Sequence, residues 1–264
     1  MTTREATTRT AVLLVAGMGT RLAPLTDDRP KALVDVGGET ILRRAARVLR
    51  EHGVRRIVLA TGYRQDAIER EIEAWKAEWG EGENGITAVI AQNAEYASTQ
   101  NSVSLAFCEA AVEGGAFFKL DGDVVFSREV LERLDDSGAE LAVAVDGKRP
   151  LDAEAMKVTT DGTRITAFGK QLPVQGSAGE SIGIERLSAS AGARVFTALR
   201  AAIGKGVTNR YYEDVYSDLI SAGQLTAEAL EVGDLPWTEV DDPSDLANAR
   251  ELVRTRLARS TERG

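Results

Sequence analysis

Residues 10–16 run apolar and stop at Gly17, the pattern of a buried strand that feeds a glycine loop. The period then changes. Ile41, Leu42, Ala45, Ala46, Val48 and Leu49 recur at helical spacing between Thr40 and His52, and Gly53 ends them. Residues 56–61 read as a second strand, and Ile68, Ile72, Trp75 and Trp79 mark an amphipathic helix over 64–79 with a glycine-rich turn behind it. Further along, 86–91 reads as strand, 102–112 as helix, 116–120 as strand, and Ser127 as the cap of a helix reaching Leu134. This β-α-β order predicts a mostly parallel sheet with helices on both faces, and ligands at the carboxyl ends of its strands.

From residue 141 the pattern is different. Residues 141–145 continue the sheet, 155–160 and 164–168 form a hairpin about Asp161-Gly162, and 181–185 adds a strand. Helices follow at 193–203 and 212–221, and Asp242-Pro243 opens the last one, reaching about Leu257. The reading is a single domain over 10–258, whose pattern divides it into parts at 10–145 and 146–258, with disordered tails at 1–9 and 259–264.

Composition narrows the chemistry. Of 264 residues 43% are hydrophobic and 28% charged, enough for a sizeable core. One cysteine, Cys108, and one histidine, His52, exclude a disulfide framework and a zinc cluster, so any metal is held by oxygen. Cys108 reads as helix packing and His52 as a helix C-terminal cap. A net charge of −9, from 41 acidic against 32 basic residues, argues against broad nucleic-acid binding. No run nears the roughly 18 apolar residues of a membrane helix and no leader pattern opens the chain, so a cytoplasmic protein is expected.

The most informative stretch lies between the first strand and first helix: Gly17-Met18-Gly19-Thr20-Arg21, then Arg29-Pro30-Lys31 before an apolar turn. Glycines let backbone N–H groups converge on phosphate oxygens, and Arg21 and Lys31 supply the charge that a triphosphate and a leaving pyrophosphate need. The Walker loop fails because no Gly-Lys-Ser/Thr follows, and the dinucleotide fingerprint fails at Leu22. Apolar residues 117–120 end at Asp121-Gly122-Asp123, and hard oxygens at a strand end suit Mg²⁺ beside phosphates. A second acid is expected from residues 237–243, where alternation puts Glu239 and Asp241 on one face and leaves Asp242 to cap the last helix.

The glycine loop, the Thr-Arg pair and Pro-Lys in register resemble the signature of the nucleotidyltransferases that make sugar nucleotides and CDP-linked alcohols. Within that group the chain is most similar to the CTP-using phosphocholine, inositol-1-phosphate and phosphonate cytidylyltransferases. The resemblance implies a Rossmann-like three-layer α/β/α fold of the nucleotide-diphospho-sugar transferase type, with a predominantly parallel mixed sheet. It also implies CMP transfer from CTP to a small phosphate- or phosphonate-bearing acceptor, with Mg²⁺ as cofactor and pyrophosphate released. Ala16, Gly17, Met18, Gly19 and Thr20 would wrap the NTP, Arg21 and Lys31 would act on its phosphates, and Asp123, then Asp121, would meet the metal with Asp241. The base would be read by Gln92, Asn93, Gln100, Asn101 and Ser102, neutral amides and a hydroxyl suited to base edges.

For the acceptor, Lys157 and Lys170 are expected at its phosphate and Glu180 in the strand that closes its pocket. Tyr212, Glu213 and Asp214 combine ring and carboxylates and suit an amine, beside which a polyol phosphate stays open. A sugar-1-phosphate enzyme using dTTP, UTP or GTP would share the phosphate loop and acids. An inactive nucleotide-binding subunit is the alternative from another class, against which the joint presence of Arg21, Lys31, Asp123 and Asp241 speaks. The acceptor and the oligomeric state are left open.

Overall fold

The computed structural model describes residues 8–81 and 85–258. The tails at 1–7 and 259–264, and part of the turn after the second helix, lie outside them. Thr8 and Arg9, expected in the N-terminal tail, are instead held. The Thr8 hydroxyl donates to Asp135 over 2.6 Å, and the Arg9 carbonyl accepts from the amides of Arg55 and Arg56.

Strands β1 (Thr10–Leu14), β2 (Arg56–Thr61), β3 (Thr87–Gln92) and β4 (Phe117–Asp121) are parallel neighbours in the order β3-β2-β1-β4. Both faces of β1 are covered, which is why its sequence is apolar from Ala11 onward rather than alternating. Helices α1 (Ile41–His52), α2 (Gln65–Trp79) and α5 (Arg128–Asp135) share one core with Ala11, Leu13, Ile57, Leu59, Phe118 and Leu120. The alternate residues Val12, Val58, Ala60 and Phe117 face a second core built with α3 (Asn101–Ala106), α6 (Ala189–Gly204) and α7 (Tyr212–Ser221). The helix expected over 102–112 breaks after Ala106 and resumes as α4 (Glu109–Val112). Caps set several boundaries: the Thr40 hydroxyl accepts from the Arg43 amide, and Gly53 closes α1 at φ 117°. Ser127 stands at the cap position of α5, but its hydroxyl has no hydrogen-bond partner.

The second half departs from an open parallel sheet. β9 (Gly179–Leu187) runs antiparallel to both β4 and β6 (Leu141–Asp146), while β10 (Ala227–Glu231) is parallel to β6 and antiparallel to β8 (Arg164–Gly169). The hairpin partner β7 (Lys157–Asp161) pairs with β8 and again with β9, so these five strands close on themselves. A register shift between Val143 and Val145 contributes the bend that closure requires.

A third, smaller core fastens the glycine loop. Leu22, Val34 and Val36 pack with Val125 of β5 (Val124–Phe126) and with Leu246, Ala249 and Val253 of α8 (Pro243–Thr255). The Asp242 carboxylate caps α8 at the Ser244 and Asp245 amides, with Pro243 next in the chain. Strand β11 (Trp237–Glu239) pairs antiparallel with β5. That pairing carries residues near the end of the chain to the end of β4.

Candidate active site

A cleft of about 430 Å³ opens at the carboxyl ends of β1 and β4. The register of these strands sets Leu14 beside Asp121, and the chain then turns through Gly122 and Asp123 into β5. Because β5 and β11 are antiparallel, the Val240 amide donates to the Asp123 carbonyl at 3.0 Å, and Glu239 and Asp241 flank it. Oxygens of Asp123, Glu239 and Asp241 lie within 4.8 Å of one another.

Lys31 stands among these acids. Its Nζ is 2.6 Å from Asp123 Oδ2 and 2.6 Å from Asp241 Oδ1, and Arg21 reaches Asp241 Oδ2 at 2.6 Å. The approach depends on Gly19, which adopts φ 66° and whose missing Cβ would lie 2.6 Å from Lys31 Cβ. Burial opposes the lysine's charge, but Asp123 and Asp241 outweigh it and raise its pKa. Asp241 moves down despite burial, through Lys31 and then Arg21. Glu239 goes the other way: burial, with Asp123 and Asp241 adding repulsion, pushes it up to about 8.

This trio fits a hard divalent cation. The donors are all carboxylate oxygens, Asp123 Oδ1 has no hydrogen-bond partner, and an ammonium already sits where positive charge is favoured. Asp121 is not part of the trio. Its carboxylate receives Lys119 at 3.0 Å and the Tyr212 hydroxyl at 3.0 Å, and burial raises its pKa.

Of the loop residues, Ala16, Gly17 and Arg21 line the cleft, whereas Met18 and Thr20 are exposed outside it. On the side expected to read the base, Gln100 and Asn101 line it with Tyr96 and Thr99. Three other candidates there are corrected. Gln92 ends β3 exposed and outside the cleft, while Asn93 is sealed, donating to Thr99 and Ser104 and accepting from the Glu95 amide. Ser102 is buried and donates to the Arg210 carbonyl.

The side expected to hold the acceptor needs larger corrections. Lys157 is 2% exposed and its Nζ donates to the carbonyls of Ala155 and Lys170, so it faces no ligand. Tyr212 is fully buried, its hydroxyl spent on Asp121 and Glu185. Asp214 accepts from the Tyr211 amide and caps α7. Lys170, Glu180 and Glu213 do line the cleft, together with Glu154, Ser181, Gly183 and Tyr211.

Sequence reasoning also missed a buried knot. Lys119 is 0% exposed, 3.2 Å from Glu185 Oε2, and 3.4 Å from the centre of the Tyr212 ring. Its signal was legible as a lone lysine in an apolar strand, because such a charge is buried only with a partner. Cys108 is buried at a break between helices, and His52 reaches Asp135 at 3.3 Å from the end of α1.

A glycine loop with two cations faces an acid trio at the ends of β1 and β4, an arrangement whose chemistry suits phosphates. The chain belongs to the nucleotidyl transferase family, whose pattern matches residues 10–165. It is 30% identical over 246 residues to the CMP-5'-(3-aminopropyl)phosphonate synthase of Streptomyces rubellomurinus, covering 90% of this chain and 38% of that protein. It is 31% identical over 247 residues to the bifunctional IPC transferase and DIPP synthase of Rubrobacter xylanophilus, covering 92% and 51%. The chain thus spans about half or less of the length of these two relatives. Its fold matches the inositol-1-phosphate CTP transferase from T. maritima with a TM-score of 0.79 at 21% identity, over 94% of this chain and 96% of that one. Among the described residues no helix is long and apolar enough to cross a membrane.

Proposed function

We propose that the protein is a magnesium-dependent cytidylyltransferase that moves CMP from CTP to a small phosphate- or phosphonate-bearing acceptor. The observation that carries this reading is the position of Lys31, 2.6 Å from two carboxylates that the sequence separates by more than a hundred residues. An acceptor oxygen, already anionic near neutral pH, forms a bond to the α-phosphorus. The bond from that phosphorus to the bridging oxygen breaks, and pyrophosphate leaves with the electron pair.

Arg21 and Lys31 orient the triphosphate and offset the charge on the leaving group, and the loop meets it from Ala16 and Gly17, which line the cleft. Asp123 and Asp241, with Glu239, would hold Mg²⁺, which when bound supplies screening of phosphate charge. The relative named for CMP transfer supports CTP as donor, and Gln100 and Asn101, which line the cleft, would meet its base, Asn101 through its amide nitrogen because its oxygen accepts from the Tyr212 amide. Helices on both faces of the sheet support a three-layer fold of the nucleotide-diphospho-sugar transferase type, organised as one unit over 10–258. A nucleotide triphosphate substrate fits a cytoplasmic setting.

Pyrophosphate release measured with CTP, Mg²⁺ and a panel of phosphorylated and phosphonate acceptors, with the product weighed by mass spectrometry, tests the proposal. A CMP adduct is expected. Turnover confined to sugar 1-phosphates with dTTP, UTP or GTP would replace it with the sugar-nucleotide reading.

A further inference from the structure

The acceptor end of the cleft is acidic beyond what its cations balance. Glu154, Glu180 and Glu213 line it, together with Asp121. Lys170 is the lysine on that wall, and Glu154 Oε2 lies 3.4 Å from it. Lys119 is sealed behind Tyr212 and committed to Asp121 and Glu185. Glu180 and Glu213 therefore have no ion-pair partner among the described residues.

Glu213 is the decisive group. It is 4% exposed, it lines the cleft, and its Oε2 has no hydrogen-bond partner. Ser181, 6% exposed on the same wall, also leaves its hydroxyl unpartnered. A buried carboxylate oxygen without a partner is costly, and a fold retains one where something else completes it. Tyr211 adds a ring to this end of the cleft. The Lys170 ammonium lies 5.6 Å from the ring centre, so this ring already receives a cation.

We propose that the acceptor carries a cationic amine, at the end remote from its phosphate or phosphonate, which Glu213, Glu180 and the face of Tyr211 receive. This rests on the cytidylyltransferase reading above and names the acceptor's class. A polyol phosphate could donate hydroxyl hydrogens to the same groups but brings no cation to hold their carboxylates ionised. An acceptor with a second anion would add repulsion to it. Burial pushes Glu213 up to about 8, with Asp121 and Glu185 adding to the shift against Lys119, so a bound ammonium would replace the proton that the carboxyl otherwise holds near neutral pH.

The test uses the whole chain with CTP and Mg²⁺, reading pyrophosphate release. The probes are 2-aminoethylphosphonate, 3-aminopropylphosphonate and phosphocholine, each beside its counterpart with the amine replaced by an alkyl group, and inositol 1-phosphate as the neutral polyol. At least one amine should exceed its counterpart and the polyol by about 100-fold or more in kcat/KM, because a polar site left unpaired rejects the analogue that lacks the partner. Glu213→Gln should then raise the amine's KM about 10-fold or more, while the KM values for CTP and for the alkyl counterpart move far less. Glu180→Gln should act in the same direction, and the preference of the parent protein stands even if one variant does not fold.

Equal use of amine and alkyl acceptors, or better use of the polyol, overturns the amine inference and leaves cytidylyl transfer standing. Glu213→Gln lowering every acceptor alike also overturns it. No pyrophosphate from CTP with any probe overturns both.

Discussion

The two halves of the cleft spend their charged side chains differently. On the nucleotide side Lys31, Arg21, Asp123 and Asp241 meet across the opening, held by a loop, a strand end and the segment before α8. On the acceptor side many of the residues with the right chemistry are turned inward. Lys157 closes on two carbonyls, Tyr212 on Asp121 and Glu185, and Asp214 on the start of α7. Backbone geometry fixes the first set, since a glycine loop and a strand terminus present their residues whatever their neighbours are. Side-chain direction fixes the second, and one step along a helix start exchanges Tyr211 in the cleft for Tyr212 in the core.

Lys31→Ala strikes the nucleotide side hardest. With its true substrates, turnover should fall about 10²- to 10³-fold in a protein whose circular dichroism is unchanged, the cost typical of losing one contact that stabilises developing charge. A folded variant with near-normal turnover would show that Lys31 is only a counterion to its carboxylates. Asp123→Asn and Asp241→Asn come next, each expected to abolish productive magnesium use while keeping side-chain shape. A magnesium titration of activity checks this, and a variant that follows the parent curve removes its residue from the metal site. Asp241→Asn should also weaken the hold on Arg21, which Asp123→Asn leaves in place.

On the acceptor side the expected effect moves from rate to stability. Tyr212→Phe withdraws a hydroxyl from Asp121 and Glu185, and Lys157→Met withdraws an ammonium from two carbonyls, so each should cost about 1–3 kcal/mol in urea unfolding. The acceptor KM should barely move in Lys157→Met. A large rise in that KM with unchanged stability would return Lys157 to the acceptor pocket and erase the contrast between the halves.

That contrast also says what a sequence discloses. The strand-loop-helix order of the first half was legible because apolar runs, Gly17, Thr40 and Gly53 each fix a local conformation. Glu239 and Asp241 were legible for a related reason: alternation puts both on one face, and Asp242-Pro243 marks where the last helix starts. The closure of β7 onto β9 was not, because it depends on a register shift and a long-range pairing that leave no periodic trace. Nor was the burial of Asn93 and Ser102, whose amide and hydroxyl suit a base edge and a loop equally well. Polar residue type narrows the possible roles, and only the packing of neighbouring elements chooses among them.

The smallest effect expected is at the seam where β9 joins the halves. Asp135, on α5, accepts from Thr8 just before β1, from Arg186 on β9, and meets His52 at the end of α1. Burial opposes its charge, but bonds from His52 and Thr8 hold its carboxyl down to about 2, against 3.8 for a free aspartate. A carboxyl depressed in the fold stabilises it above its unfolded pKa, and that contribution drains away as pH falls toward the folded value. The window is therefore pH 4 down to 2. After discounting for the solvent that reaches this group, the contribution is about 1 kcal/mol. Asp135→Asn should lower the urea midpoint at pH 7, and its deficit against the parent should shrink as pH falls from 4 toward 2. Parallel midpoints across that range would mean that Asp135 contributes through its shape and hydrogen bonds alone, with no share for its charge.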